Sequence, residues 1–547
     1  MGPGRSLPRK AVKATQSMRP RLKFLSASLL LLSTALTLEA QQPRPIRIAT
    51  ADGILEGVES ADGKVRTFKG IPFAAPPVGP LRWRPPEPVR KWTGVRDASE
   101  YGPRPMQGRI FSDMVFHDAG PSEDCLTLNL WMPAGPQAKL PVMVWIFGGG
   151  FAAGSSSEPR QDAGNLSKKG VLVVSLNYRL GVFGFLAHPE LTAESGRGAS
   201  GNYGLLDQLA ALRWVRSNIA TFGGDPDNVT IFGESAGSAS VSGLVASPLA
   251  RGLFQRAIGE SGAFFYRNRP LKPLAQAEAS GVGFAASAFG GAALAALRAR
   301  PAQEILDAAL KMPRGTFSPD VDGYFLPSDC RTIYAEGRQS HVPLMAGWNR
   351  DEGSPSAIFA GDEPTAAHFL ERARALFGGD ADEFLTLYPV ATDAEARRAA
   401  QDLAGDQYTG YATWKWLETH LATGGSPVYR YQFLQTLPLP PEAPPGTEPS
   451  APHASEIEFV FRVLSSRSLP WRQQDRDVSE LMASYWTNFA KTGDPNGSGL
   501  PAWPAYGARD GYQVMSLSAT PGASPDRHRG RYLFLDRLNP PPGNPSR

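Results

Sequence analysis

Short runs of continuous apolar residues alternate along this chain with stretches whose apolar positions recur at helical spacing. Residues 142–147 and 171–176 are unbroken, β-branched-rich runs of the kind buried on both faces of a parallel sheet. Residues 205–219 read as a helix, with Leu205, Leu209, Leu212 and Ile219 on one side and Gly223 and Pro226 marking its stop. Residues 229–232, 342–346 and 428–433 read as further strands. This order predicts an α/β domain with a mostly parallel central sheet and helices on both faces. Two helical blocks, 271–312 and 366–417, are long enough to be covering insertions over that sheet. Residues 436–452 contain seven prolines in seventeen positions and predict an extended, irregular loop inside the domain, because the strand before them still reads as core.

Composition narrows the class. Hydrophobic residues make up 42% of the 547, charged residues 20% and aromatic residues 10%, which excludes a fibrous or wholly disordered chain. The net charge of +4 is misleading as a guide to partners. Of the 56 Lys and Arg, seven lie in the first forty residues, against one of the 52 acids, so the remainder carries 49 bases and 51 acids. A nucleic-acid partner therefore has no electrostatic support. The same forty residues have the form of a secretory signal: a basic stretch ending at Lys23, an uncharged apolar run over 24–38, and Leu38-Glu39-Ala40 before Gln41. These fifteen uncharged residues fall short of the roughly 20 that span a bilayer. The expectation is a signal peptide over 1–40, one domain over 41–547, a secreted or periplasmic location, and no membrane segment after signal removal. With Cys125 and Cys330 as the only cysteines, disulfides are not the main staple of the fold.

Candidate chemistry starts at Gly233-Glu234-Ser235-Ala236-Gly237, directly after the strand at 229–232. A serine on a tight strand-to-helix turn needs small flanking residues, because a β-carbon two positions away would meet neighbouring backbone. Upstream, Phe147-Gly148-Gly149-Gly150-Phe151 follows another strand. Consecutive glycines let bare N–H groups approach the oxyanion of an acyl-transfer intermediate. A phosphate loop would require Gly-Lys-Ser/Thr, which is absent here. A serine nucleophile needs a base, and the order serine, acid, histidine favours His420, His453 or His528 among seven histidines. His453 fits best, since it follows a late strand and loop and precedes a helix start at Glu456, whereas His420 lies on a helical face and His528 in a charged tail. The acid is expected just past the strand at 342–346, at Asp351 or Glu352, and spacing does not choose between them.

These stretches together resemble the type-B carboxylesterases, the α/β-hydrolase branch that includes cholinesterases, bacterial nitrobenzyl esterases and liver carboxylesterases. Matching segments run from Phe68-Lys69-Gly70-Ile71-Pro72 to Trp503-Pro504, through Glu123-Asp124-Cys125-Leu126, Asn177-Tyr178-Arg179, Gly201-Asn202-Tyr203-Gly204 and Gly223-Gly224-Asp225-Pro226. The resemblance implies an α/β-hydrolase fold and hydrolysis of small-molecule carboxylic esters through an acyl-enzyme. It implies Ser235 as nucleophile, His453 as base, Glu352 as acid, and the N–H groups of Gly149, Gly150 and Ala236 as the oxyanion hole, with no cofactor and no metal. The alternatives are a non-catalytic, neuroligin-like binding protein on the same fold, or the same triad cleaving amide, thioester or carbamate bonds. Three departures accompany the likeness. Phe147 stands where the family often has His or Tyr. Cys125 has no partner near residues 102–105, which implies two free buried thiols. Residues 106–123 contain no tryptophan, so the cation–π recognition of a choline group is not expected. Phe151, Phe264, Phe265 and Phe317 are the apolar candidates for pocket or core.

Overall fold

The computed structural model describes residues 44–267 and 269–538; the leader expected at 1–40 lies outside them. Thirteen strands among the described residues form one sheet. They are β1 (Arg44–Ala49), β2 (Ile54–Glu59), β3 (Val65–Pro72), β4 (Val95–Asp97), β5 (Thr127–Pro133), β6 (Leu140–Ile146) and β7 (Leu172–Leu176). The second half supplies β8 (Gly224–Glu234), β9 (Arg256–Glu260), β10 (Leu344–Asn349), β11 (Val428–Phe433), β12 (Gln513–Leu517) and β13 (Gly522–Pro525). Their spatial order is β1-β2-β3-β5-β7-β6-β8-β9-β10-β11-β12-β13, with β4 beside β2. From β7 through β12 every pairing is parallel, and antiparallel strands close both ends. The parallel centre is where the sequence is most continuously apolar: residues 142–146 of β6 are all fully buried, as are Ile231 and Phe232 of β8. Burial on both faces is what this pattern anticipates. The strand at 229–232 begins earlier than its apolar run, because the polar stretch from Asp225 to Asn228 joins β8 through an irregularity in its pairing with β6.

Helices connect and cover these strands. The principal ones are α1 (Tyr203–Asn218), α2 (Ala236–Ala246), α3 (Leu274–Phe289), α4 (Ala366–Phe377), α5 (Asp393–Gly405), α6 (Tyr411–Gly424), α7 (Ile457–Phe461) and α8 (Gln473–Thr492). The first expected helical block resolves into α3 and two short helices, Leu294–Arg298 and Ala302–Ala309, packed around their own cluster with Phe284, Leu297 and Ile305 at its centre. In the second block a π-helical turn, Asp406–Gly410, joins α5 to α6; such turns recur near functional sites. The sheet brings three chain segments together at one end. Ser235 follows β8, Glu352 lies three residues past β10, and the long loop after β11 returns Pro452 to pair with Asp351. Crevices at the carboxyl ends of parallel strands are where this class of sheet binds its ligands.

Candidate active site

The turn after β8 forces Ser235 into an unusual conformation, φ 56° and ψ −119°, as the residue capping α2. Such backbone is unfavourable for a non-glycine residue and persists only where its surroundings hold it. Here the Ser235 N–H donates to Glu260 O at 2.8 Å. Helix α2 then packs so tightly on the sheet that a β-carbon on Gly237 would stand 1.9 Å from Ile146 O. The second glycine of the motif is therefore demanded by helix–sheet contact, and the serine side chain is left half-buried at the helix N-terminus.

His453 and Glu352 reach this serine. His453 Nε2 lies 2.9 Å from Ser235 Oγ, and His453 Nδ1 lies 2.6 Å from Glu352 Oε2. The other carboxylate oxygen of Glu352 accepts from Ser261 Oγ at 2.6 Å and from the Asn349 N–H at 2.8 Å. Of the two adjacent acids, Glu352 is the one that meets His453. Asp351 faces away, accepting from Arg350, from Arg398 at 2.6 Å and from the Ala451 N–H at 2.8 Å, so that it clamps the loop that carries His453. His420 is a core residue, fully buried with Nε2 2.8 Å from Val342 O, and burial pushes it down to about 4. His528 is not in a charged tail: it opens the helix Arg529–Arg537 and lines a cavity.

The glycine loop lies against the nucleophile. A β-carbon on Gly148 would come within 2.9 Å of Ser235 Cβ, while Gly149 and Gly150 take left-handed φ values of 100° and 65°. Among the described residues, the N–H groups of Gly149, Gly150 and Ala236 are spent on no protein acceptor. Phe147 cannot order this loop through its side chain, and the protein uses Tyr178 instead. The two rings stack at 4.5 Å and the Tyr178 hydroxyl donates to Phe147 O at 2.9 Å. Of the four apolar candidates, Phe151 and Phe264 stack on each other at 5.8 Å beside the loop. Phe265 is fully buried against Tyr334, and Phe317 packs on Phe284 in the helical cluster, so these two serve the core.

Sequence reasoning missed two carboxylates and a tyrosine here. Glu234 Oε1 lies 3.2 Å from His453 Nε2, and Glu456 accepts from Asn349 Nδ2 at 2.6 Å and Ser261 Oγ at 3.3 Å. Burial, only partly countered by His453, pushes Glu234 up to about 8. Burial and then Glu352 push Glu456 up to about 7. Burial opposes charge on His453 too, but Glu234 and Glu352 outweigh it and hold the imidazole well above the ordinary histidine range. The ring of Tyr408, from the π-helical turn, meets His453 edge-on at 5.2 Å, and the Arg269 guanidinium sits over both Tyr408 and Tyr266. Glu234 stood in view inside the serine motif, but nothing local in the sequence marks a carboxylate as buried. Cys125 and Cys330 are buried and unpaired, and burial raises both thiols, which disfavours the reactive thiolate. Among the described residues no group of three or more His, Cys, Asp or Glu is placed to hold a metal ion, and no helix is long and apolar enough to cross a membrane.

Comparison with known proteins gives this geometry its context. Residues 44–532 match the family model described as the carboxylesterase family. The chain is 38% identical over 512 residues to the fumonisin B1 esterase of Sphingopyxis macrogoltabida, covering 90% of each chain. It is 37% identical over 476 residues to the para-nitrobenzyl esterase of Bacillus subtilis, covering 84% of this chain and 92% of that one. A solved structure of a PNB esterase matches at 35% identity with a TM-score of 0.73, and that of a thermophilic PNB esterase at 35% with 0.75, each covering 90% of this chain and 99% of the other. The sheet and its helices are thus an α/β-hydrolase fold. The chain belongs to the carboxylesterase family, and it is a carboxylic ester hydrolase of the serine class.

Proposed function

We propose that the protein cleaves small-molecule carboxylic esters through an acyl-enzyme on Ser235, with His453 as general base and Glu352 as its orienting acid. The observation that carries this is the continuous hydrogen-bonded chain from Ser235 through His453 to Glu352, at 2.9 and 2.6 Å. His453 takes the hydroxyl proton as Oγ attacks the carbonyl. The N–H groups of Gly149, Gly150 and Ala236 receive the oxyanion, each such donor being worth roughly a hundredfold to a thousandfold. His453 then gives its proton to the leaving alcohol, and water repeats the cycle to release the acid. A binding-only role on this fold has no use for an unspent set of N–H donors beside a serine already bonded to an imidazole. The test is covalent: an organophosphate should add once per chain, at Ser235, in the folded protein and not in urea. Peptide mass spectrometry that finds the adduct elsewhere, or finds none, rejects the assignment.

The protonation of His453 makes a second test. The imidazole must be neutral to accept the Ser235 proton, so kcat/KM rises with pH as His453 deprotonates, and the nearby carboxylates place that rise above the ordinary histidine range. Glu234→Gln removes one carboxylate beside Nε2, which favours the neutral imidazole. The acid limb of the kcat/KM profile should move to lower pH; a limb that stays or moves upward excludes Glu234 from setting it. The proposal includes export, supported by the basic stretch and apolar run of the first forty residues. Expressed in a Gram-negative host, the chain should be recovered outside the cytoplasm with an N-terminus near Gln41, as read by N-terminal sequencing.

A further inference from the structure

A cavity of about 630 Å³ lies behind the triad acid, within the roughly 300–1,000 Å³ range of small-molecule sites. Glu352 forms part of its wall, and the rest comes from the ends of β10 to β13, from α5, and from the segment leading into the last helix. Its charged groups are unequally satisfied. The four lining carboxylates all have partners: Glu352 in the triad, Asp402 with Arg398 and Arg531, Asp406 with Tyr388, and Asp526 with Arg430. Several other polar groups are left over. Among the described residues, the side chains of Arg527, His528, Gln432, Ser516 and Ser524 have no protein hydrogen-bond partner, yet all five line this space. Burial and then Arg531, opposed by Asp402, push His528 down to about 4, so that it faces the cavity as a neutral imidazole. An unpaired guanidinium beside an imidazole, an amide and two hydroxyls suits an acceptor-rich anion.

We infer that this cavity is an effector site for a small multivalent oxyanion, bound by Arg527 and His528 with the neighbouring amide and hydroxyls. Carboxylate and phosphate groups share the chemistry that this donor set recognises. Two links join the site to the triad. The Asn349 N–H holds Glu352 Oε1, and the Asn349 side chain, 1% exposed, lines the cavity and leaves its Oδ1 without a partner. Arg350 and Arg398 also line it while clamping Asp351, whose carboxylate holds the Ala451 N–H two residues before His453. Oxyanion oxygens that draw these guanidinium groups toward the cavity loosen the clamp on the His453 loop. Binding therefore lowers kcat and leaves KM for a small ester unchanged.

The inference goes beyond ester cleavage, and its first test needs no turnover. Calorimetric titration of the full-length protein carrying Ser235→Ala, with citrate and separately with inorganic phosphate at ionic strength fixed by chloride, should give saturable binding with at least one of the two. The responding arm identifies the group recognised. Arg527→Ala and His528→Asn should each weaken it roughly tenfold or more, the loss expected for a charge-assisted hydrogen bond, with circular dichroism confirming the fold. In the active protein the same anion should lower kcat for p-nitrophenyl acetate about fivefold at saturation, with KM constant. Failure to bind either anion, binding indifferent to both substitutions, or binding that leaves kcat untouched overturns the effector site. Loss of esterase activity without any added anion would instead count against the proposed function.

Discussion

Ser235→Ala should reduce kcat/KM for p-nitrophenyl acetate by roughly 10⁵–10⁶-fold, His453→Ala should do about the same, and the double variant should be no worse than either. The magnitude follows from what the pair does together. Without the imidazole the hydroxyl remains a poor nucleophile, and without the hydroxyl the imidazole has no proton to take, so removing the second member costs nothing further. What persists is the contribution of the oxyanion donors and substrate binding, which neither substitution touches. Stability should hardly change, because among the described residues the only side-chain hydrogen bond that Ser235 makes is to His453, and the strained backbone at φ 56° remains with alanine in place. Steady-state kinetics on all three proteins, with thermal unfolding as the control for folding, give the result directly. Multiplying single losses, or a Ser235→Ala protein keeping more than about one hundredth of the activity, would mean that these side chains do not work as a unit.

How legible each part was depends on whether the deciding interaction is local. The strands β6 and β8 showed themselves because burial on both faces demands an unbroken apolar run, and Ser235 showed itself because its turn demands flanking glycines. The polar start of β8 did not, since Asp225, Pro226 and Asp227 carry the composition of a turn whether or not the backbone pairs with β6. Glu234 and Glu456 went unseen for a different reason. Their burial is imposed by segments distant in the chain, since Glu456 meets Asn349 and Ser261, 107 and 195 residues away, and Glu234 meets His453. A glutamate at a helix start reads as a solvated residue. The same holds for His528, whose charged surroundings suggested a tail until the fold set it against α5 and β12. The ambiguity between Asp351 and Glu352 was intrinsic to the sequence. Successive side chains along extended backbone point to opposite sides, so one neighbour faces His453 and the other Arg398, and only the three-dimensional exit from β10 decides which does which.

That adjacency makes the sharpest test of the site. Glu352→Gln should lower kcat by roughly 10⁴-fold with little loss of stability. The Asn349 N–H can only donate, so the new amide must turn its oxygen toward Asn349 and its NH₂ toward His453 Nδ1. The imidazole then accepts at Nδ1 and carries its proton on Nε2, where the lone pair facing Ser235 Oγ is needed, and the substitution also removes the charge that stabilises the imidazolium. Asp351→Asn should do the reverse. It weakens the ion pairs with Arg350 and Arg398, which are 33% and 42% exposed and so already screened, at a cost of about 1–2 kcal/mol in urea unfolding. Its kcat should stay within about tenfold of the parent, because the carboxylate touches neither His453 nor Ser235 and acts only through the loop it clamps. Measuring kcat and unfolding free energy for both variants separates the two roles. A protein in which Asp351→Asn abolishes turnover while Glu352→Gln preserves it would have its triad acid at the other residue.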